Sequence, residues 1–176
     1  MTDTLQQIHA AFAELLREDG GKLSVQNIAD RCAISRNTFY YYYECIEPLA
    51  AKLLDGWFTA PEDEPQSLSD CIEPFVARCQ QHKAEVLRLF DSPYRHILCD
   101  KLRVLVTERL TKFCRTRLRP QLPREEAAAE LSLYAHILMG FIEHWLGKSM
   151  ASQIAPYAHR LEKDFDKLYP PAGDGR

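Results

Sequence analysis

Glycine is scarce, 7 in 176 residues with two of them among the last four. That scarcity argues against a β-sandwich and against any glycine-rich phosphate cradle. No apolar stretch reaches the roughly 18 residues a membrane span needs, because charges or histidines break each one. The N-terminal Met-Thr-Asp-Thr-Leu-Gln-Gln lacks the basic region and apolar run of a signal peptide. A soluble cytoplasmic protein that makes no membrane contact is expected. No C-x-x-C joins any of the six cysteines (Cys32, Cys45, Cys71, Cys79, Cys99, Cys114), so neither a zinc knuckle nor a thioredoxin-type pair is suggested. Reduced thiols acting as small buried hydrophobes are the simplest reading. H-E-x-x-H, G-x-S-x-G, a Walker loop and a dinucleotide fingerprint are all missing, and the neighbours Glu143 and His144 point to different helix faces. The chain is therefore expected to be no enzyme and to hold no cofactor or metal. An excess of basic charge is lacking too, since the net charge is −3.

What the chain does have is apolar residues, 46% of the total, spaced for helices almost throughout. Leu5, Ile8, Phe12, Leu15 and Leu16 mark one face of a first helix that should end at Gly20-Gly21. Ser24 reads as an N-cap for a short helix, and Ser35 as the cap of another running to about Tyr43. A fourth helix carries Leu49, Leu53, Leu54, Trp57 and Phe58. The segment Thr59-Ala-Pro-Glu-Asp-Glu-Pro-Gln-Ser reads as a linker. Helical patterns then cover Leu68 to Cys79, Lys83 to Phe90, Tyr94 to about Leu118, Arg124 to Gly147 and roughly Ser152 to Leu168, with Pro120 and Pro123 closing the third of these. The fold class is all-α with about nine helices. Residues 1–58 form one domain and 59–168 a second, and 169–176 form a disordered tail.

Residues 24 to 43 describe a short helix, a tight turn and a second short helix, an arrangement that places its second helix in the DNA major groove. At 100° per residue, Phe39 and Tyr43 share a face suited to packing on Ile28, Ala29 and Ile34, while Asn37 and Tyr41 point the opposite way. Thr38, Arg36, Tyr40 and Tyr42 fall on the flanks. Four consecutive tyrosines span most of the helix circumference, so some phenols must meet water or a ligand.

These features resemble the N-terminal domain of TetR/AcrR-family transcriptional regulators. The resemblance rests on the first helix ending at Gly20, Ser-Val-x-x-Ile-Ala-Asp-Arg-Cys (24 to 32), Ile-Ser-Arg-x-Thr-Phe-Tyr (34 to 40) and the Tyr43/Leu49 continuation. Tyr-Glu-Cys-Ile-Glu-Pro-Leu (43 to 49) and residues 136 to 150 resemble a subgroup of that family. The resemblance implies an N-terminal helix-turn-helix domain followed by a helical effector-binding and dimerisation domain. It implies that Arg36, Asn37 and Tyr41 approach base edges, with Gln26 a further candidate, and Arg36 suited to guanine. Ser24, Ser35, Thr38, Tyr40 and Tyr42 would reach phosphates through their hydroxyls. Two departures stand out. Ile46 occupies a position where many family members have lysine. Residues 1 to 60 hold five cations against eight acids, which predicts a shallow salt dependence and little non-specific affinity.

A single recognition helix reads too few bases for genomic specificity, so a homodimer on an inverted repeat of double-stranded DNA is expected. Residues 125–147 cover more than one apolar stripe, and with 152–168 they are the expected dimer surface. The resemblance also implies a small-molecule effector among the C-terminal helices, for which Phe75, Cys79, Tyr94, Leu98, Leu102, His136, Met139 and Phe141 are the lining candidates. The function so read is a ligand-responsive repressor. The alternative is a helical co-regulator of the same fold that works through protein partners. Cys32 and Cys45 bracket the recognition helix, a position suited to redox sensing.

Overall fold

In the computed structural model, residues 2–18, 20–118 and 122–170 are described. They form nine α-helices and one 3₁₀ turn, with no strand among the described residues. No helix among them is long and apolar enough to cross a membrane. Pro120 and residues 171–176 of the expected tail lie outside the described residues. Tyr169, expected in that tail, is packed instead. Its ring lies 5.2 Å from Phe165 and its carbonyl accepts from Arg117 Nη2 at 2.9 Å.

The chain divides into two compact units, and the first is more than the N-terminal 58 residues. Gln81–Lys101 returns to it. It contains α1 (Thr2–Arg17), α2 (Val25–Arg31), α3 (Arg36–Tyr42), α4 (Ile46–Trp57), α6 (Lys83–Phe90) and the start of α7 (Arg95–Arg117). Ile8, Phe12, Leu15 and Leu16 are buried on one face of α1, which packs against α2, α4 and α6. Val86, Leu89 and Phe90 of α6 are buried too, each such side chain contributing about 1.5–3 kcal/mol. Polar contacts also hold the returning segment. Arg17 Nε donates to Glu85 Oε1 at 2.7 Å, Lys101 Nζ to Asp55 Oδ1 at 2.7 Å, and the Trp57 and His82 rings stack at 4.4 Å. The linker composition alone marks the exit at Thr59 but gives no sign of this re-entry. α1 stops at Arg17, ahead of the glycine pair, and Gly20 takes the left-handed φ of +85°.

The second unit holds Thr59–Gln80 and the chain from Leu102 onward. Its elements are a 3₁₀ turn (Ser69–Cys71), α5 (Glu73–Gln81, the last residue aside), the rest of α7, α8 (Arg124–Gly147) and α9 (Ala155–Leu168). Phe165 is central to the core. Phe113 lies 5.2 Å and Tyr134 5.0 Å from its ring. α9 starts at Ala155 rather than Ser152, because the carbonyl of Ser152 accepts from Trp145 Nε1 at 2.7 Å in the preceding connection.

Arg109 on α7 is almost wholly buried, and its partners come from the linker and the 3₁₀ turn after it. Nε donates to the Asp70 carbonyl at 2.9 Å, Nη1 to the carbonyls of Pro61 (3.3 Å) and Asp63 (3.2 Å), and the fork meets both Asp63 carboxylate oxygens. The guanidinium holds the Asp63 carboxyl below its ordinary range. A segment with two prolines and three acids is thereby fixed to a helix without a helix of its own. Arg109→Ala should destabilise the protein by about 3 kcal/mol, since carbonyls lose their donor and a cavity opens. Arg109→Lys keeps the charge without the planar fork and should recover only part of this in urea denaturation.

Candidate nucleic-acid interface

Helices α2 and α3 are each seven residues long, and capping defines both. Ser24 Oγ accepts from Asn27 N at 3.2 Å, and Ser35 Oγ from Thr38 N at 3.0 Å. Between them the chain turns through a Schellman motif. Ala33 N donates to Asp30 O at 3.1 Å and Ile34 N to Ala29 O at 3.0 Å. Ala33 sits at φ 53°, in the left-handed region, where glycine is easier.

Ile28, Ala29 and Phe39 are fully buried, so the inward face of the pair is the one expected; Ile34 and Tyr43 are half-buried. Tyr43 shares a 2.5 Å hydrogen bond with His9 Nε2 of α1. Arg36, Asn37, Tyr40 and Tyr41 are exposed, Tyr41 to 73%. Tyr42 is half-buried and meets Tyr41 edge to face at 5.1 Å, steadying the more exposed ring. Four predicted phosphate or base contacts already have local partners. Ser24 and Ser35 act as cap acceptors, Thr38 Oγ1 lies 2.9 Å from Ser35 Oγ, and Gln26 Nε2 donates to Asp30 Oδ1 at 2.6 Å. A serine hydroxyl that accepts at a cap still has its proton to donate.

The surrounding charge is largely paired. Arg31 Nη2 donates to Glu18 at 2.6 Å and Nη1 to Glu14 at 3.4 Å, which turns it away from a solvent ligand. Arg36 has no ion pair among the described residues. An open cleft of about 500 Å³ unites Lys22, Ser24, Gln26, Arg36 and Tyr40 with Glu44, Cys45, Glu47 and Tyr94. Burial, then Glu47, pushes the Tyr94 phenol up. Tyr94 was expected in an effector pocket; here it stands in a cleft beside α3, a placement that follows from the return of Gln81–Lys101 and that no local motif announces. That segment adds four cations (Lys83, Arg88, Arg95, Lys101) against three acids, easing the acid surplus of the unit by one.

Of the remaining effector candidates, Phe75, Cys79, Leu98, Leu102 and Met139 are buried core side chains, with Leu98 in the first unit. His136 is exposed rather than buried among apolar groups. The inward stripe of α8 runs through Tyr134, Ala135, Leu138, Met139 and Ile142 and leaves His136 outside it. Its Nδ1 lies 2.7 Å from the Ser132 carbonyl, in a shallow cleft with Arg103 and Thr107. Phe141 is half-buried and lines a different cavity.

The cysteine surroundings do not favour thiolate chemistry. Burial pushes the thiols of Cys71 and Cys79 up to about 12 and that of Cys114 to about 11. Burial also raises Cys32, while a hydrogen bond with Glu47 raises Cys45. Both thiols that flank α3 are thus shifted away from the thiolate form. No group of three or more histidine, cysteine or acidic side chains is placed to hold a metal among the described residues. No family model, curated protein or solved structure matches the chain.

Two outcomes follow for this unit. Ala33→Gly should raise stability by about 1 kcal/mol in chemical denaturation, because it relieves the left-handed strain at the turn. Burial, then Lys52, lowers the His9 pKa below its ordinary 6.5. The folded state then binds fewer protons than the unfolded chain. Stability should be complete above pH 6.5 and decline as pH falls from there through the folded-state pKa. His9→Gln should flatten that acid-side slope, measured as unfolding midpoints from pH 7.5 to 5.

Proposed function

We propose that this chain is a DNA-binding transcriptional regulator of the TetR/AcrR type, a repressor that binds an inverted-repeat operator as a homodimer. The observation that carries this reading is the α2–turn–α3 geometry. The inward face is closed by Ile28, Ala29 and Phe39, and the outward face offers Arg36, Asn37, Tyr40 and Tyr41 to solvent. Seven residues in α3 fit a major groove, and the exposed set combines a guanidinium, a carboxamide and two phenols, the groups that read base edges and phosphates.

Self-association draws support from α8. Beyond its buried stripe the helix carries a second apolar row, Leu133, Ile137 and Phe141, and Tyr157 of α9 lies against Phe141 with ring centres 5.5 Å apart. Leu133 is 52% exposed and Tyr157 49%. A second copy of the same surface would cover that row, and an inverted repeat requires two recognition helices about 34 Å apart.

The co-regulator reading has one observation in its favour. Glu44 and Glu47 line the same cleft as Arg36 and repel a phosphate there. Selection of bound genomic fragments by purified protein at two salt concentrations separates the readings. An inverted repeat should be recovered at both. Arg36→Ala should weaken operator binding by about 1–3 kcal/mol and relax one base preference. Tyr41→Ala should weaken it with the fold intact by circular dichroism. Recovery of nothing above background would favour protein partners instead. Sedimentation should find a dimer at micromolar concentration, and Leu133→Glu should shift it to monomer.

A further inference from the structure

Where α8 meets α9, the chain turns through a second Schellman motif. Ser149 N donates to Leu146 O at 2.8 Å and Met150 N to Trp145 O at 3.0 Å. Ser149 and Met150 both hold left-handed φ, 53° and 57°, without being glycine. This turn swings the connection back across the end of α8 and leaves a cavity of about 220 Å³. Phe141, His144 and Trp145 line it from α8, Ser152 and Ile154 from the connection, and Tyr157 from α9.

The walls specify the chemistry. Trp145 is 2% exposed, and its indole N–H is satisfied by the Ser152 carbonyl, so the ring is fixed and presents carbon to the space. Phe141 and Tyr157, tilted by 36° to each other, add two more aromatic faces. Among the described residues no carboxylate, lysine or arginine lines the cavity, so none of them balances a full charge there. His144 and Tyr157 are exposed, and their side chains make no hydrogen bond with other described residues. They can meet one polar substituent. An apolar cavity of roughly 150 Å³ accepts benzene, so this one takes one or two fused rings.

We propose that this cavity binds a small neutral aromatic molecule of one or two rings, bearing a single hydroxyl or N–H group directed at His144 and Tyr157. The site differs from the eight residues the sequence suggested, sharing only Phe141. Its role as an effector site rests on the regulator reading; occupancy does not.

Calorimetric titration of the full chain with indole, in the absence of DNA, tests it. Saturable one-to-one binding in the micromolar to sub-millimolar range is expected, with benzyltrimethylammonium giving none. Ile154→Phe should fill the space and abolish binding. Tyr157→Ala, at an exposed position that leaves the fold intact, should weaken binding several-fold and decides the matter if Ile154→Phe fails to fold. No saturable indole binding, unchanged binding in both variants, or tighter binding of the ammonium probe would overturn the proposal. Indole binding without any operator binding would leave the site standing and overturn the regulator reading alone. An intact operator complex with no indole binding would do the reverse.

Discussion

A seven-residue helix has no stability of its own in water, because nucleation consumes the entropy that two or three hydrogen bonds return. The exposed face of α3 therefore depends on how firmly its other face is held. Phe39 is the anchor. It is fully buried, its ring meets Tyr40 edge to face at 5.8 Å, and Tyr43 closes the helix with a hydrogen bond to α1. The Ser35 cap fixes where the helix begins, and the Schellman turn at Ala33 fixes its angle to α2. Every residue proposed to read DNA thus takes its position from contacts on the opposite side of the helix, and the left-handed strain at Ala33 is tolerated because that angle is over-determined.

Local chemistry was the legible part of the sequence. The two serine caps, the turn at Cys32–Ile34, the inward Phe39 and the limits of α6 and α8 all follow from spacing and capping within a few residues. Long-range placement was not. Gln81–Lys101 reads as an ordinary amphipathic stretch, and what ties it to the first unit, such as Glu85 meeting Arg17 across 68 positions and Lys101 meeting Asp55, is remote in sequence. Tyr94 was misplaced for that reason. His136 was misread differently, since α8 carries apolar residues around so much of its circumference that its inward side could not be chosen by pattern. Nor does a sequence disclose that Gln26 already has a partner in Asp30. The cavity beside Trp145 escaped as well, because it arises from two left-handed residues that are not glycine.

The two apolar rows of α8 make different demands. Tyr134, Leu138, Ile142 and Trp145 face the core of their own unit, where Phe165 packs against Tyr134. Leu133, Ile137 and Phe141 sit outside it, and the Tyr157 ring lies against Phe141. A single chain leaves Leu133 exposed and Ile137 and Phe141 half-buried, whereas a symmetric partner would remove all three from water. The proposed aromatic cavity opens at the end of that row, with Phe141 and Tyr157 common to both, so occupancy and self-association would act on the same two rings.

Electrostatics decides what kind of DNA binder such a surface can be. Arg17, Arg31 and Lys101 are engaged with carboxylates of their own unit, and Glu44 and Glu47 stand in the cleft beside Arg36. Few cations remain to displace counterions, and Ile46 removes one more where the resembling family often has lysine. A domain of this kind cannot hold DNA by charge alone. If it binds, the free energy must come from oriented hydrogen bonds and stacking by Arg36, Asn37, Tyr40 and Tyr41, doubled by a second copy. The acidic surround then acts as a discriminator, since repulsion is felt on every sequence and only the correct half-sites overcome it.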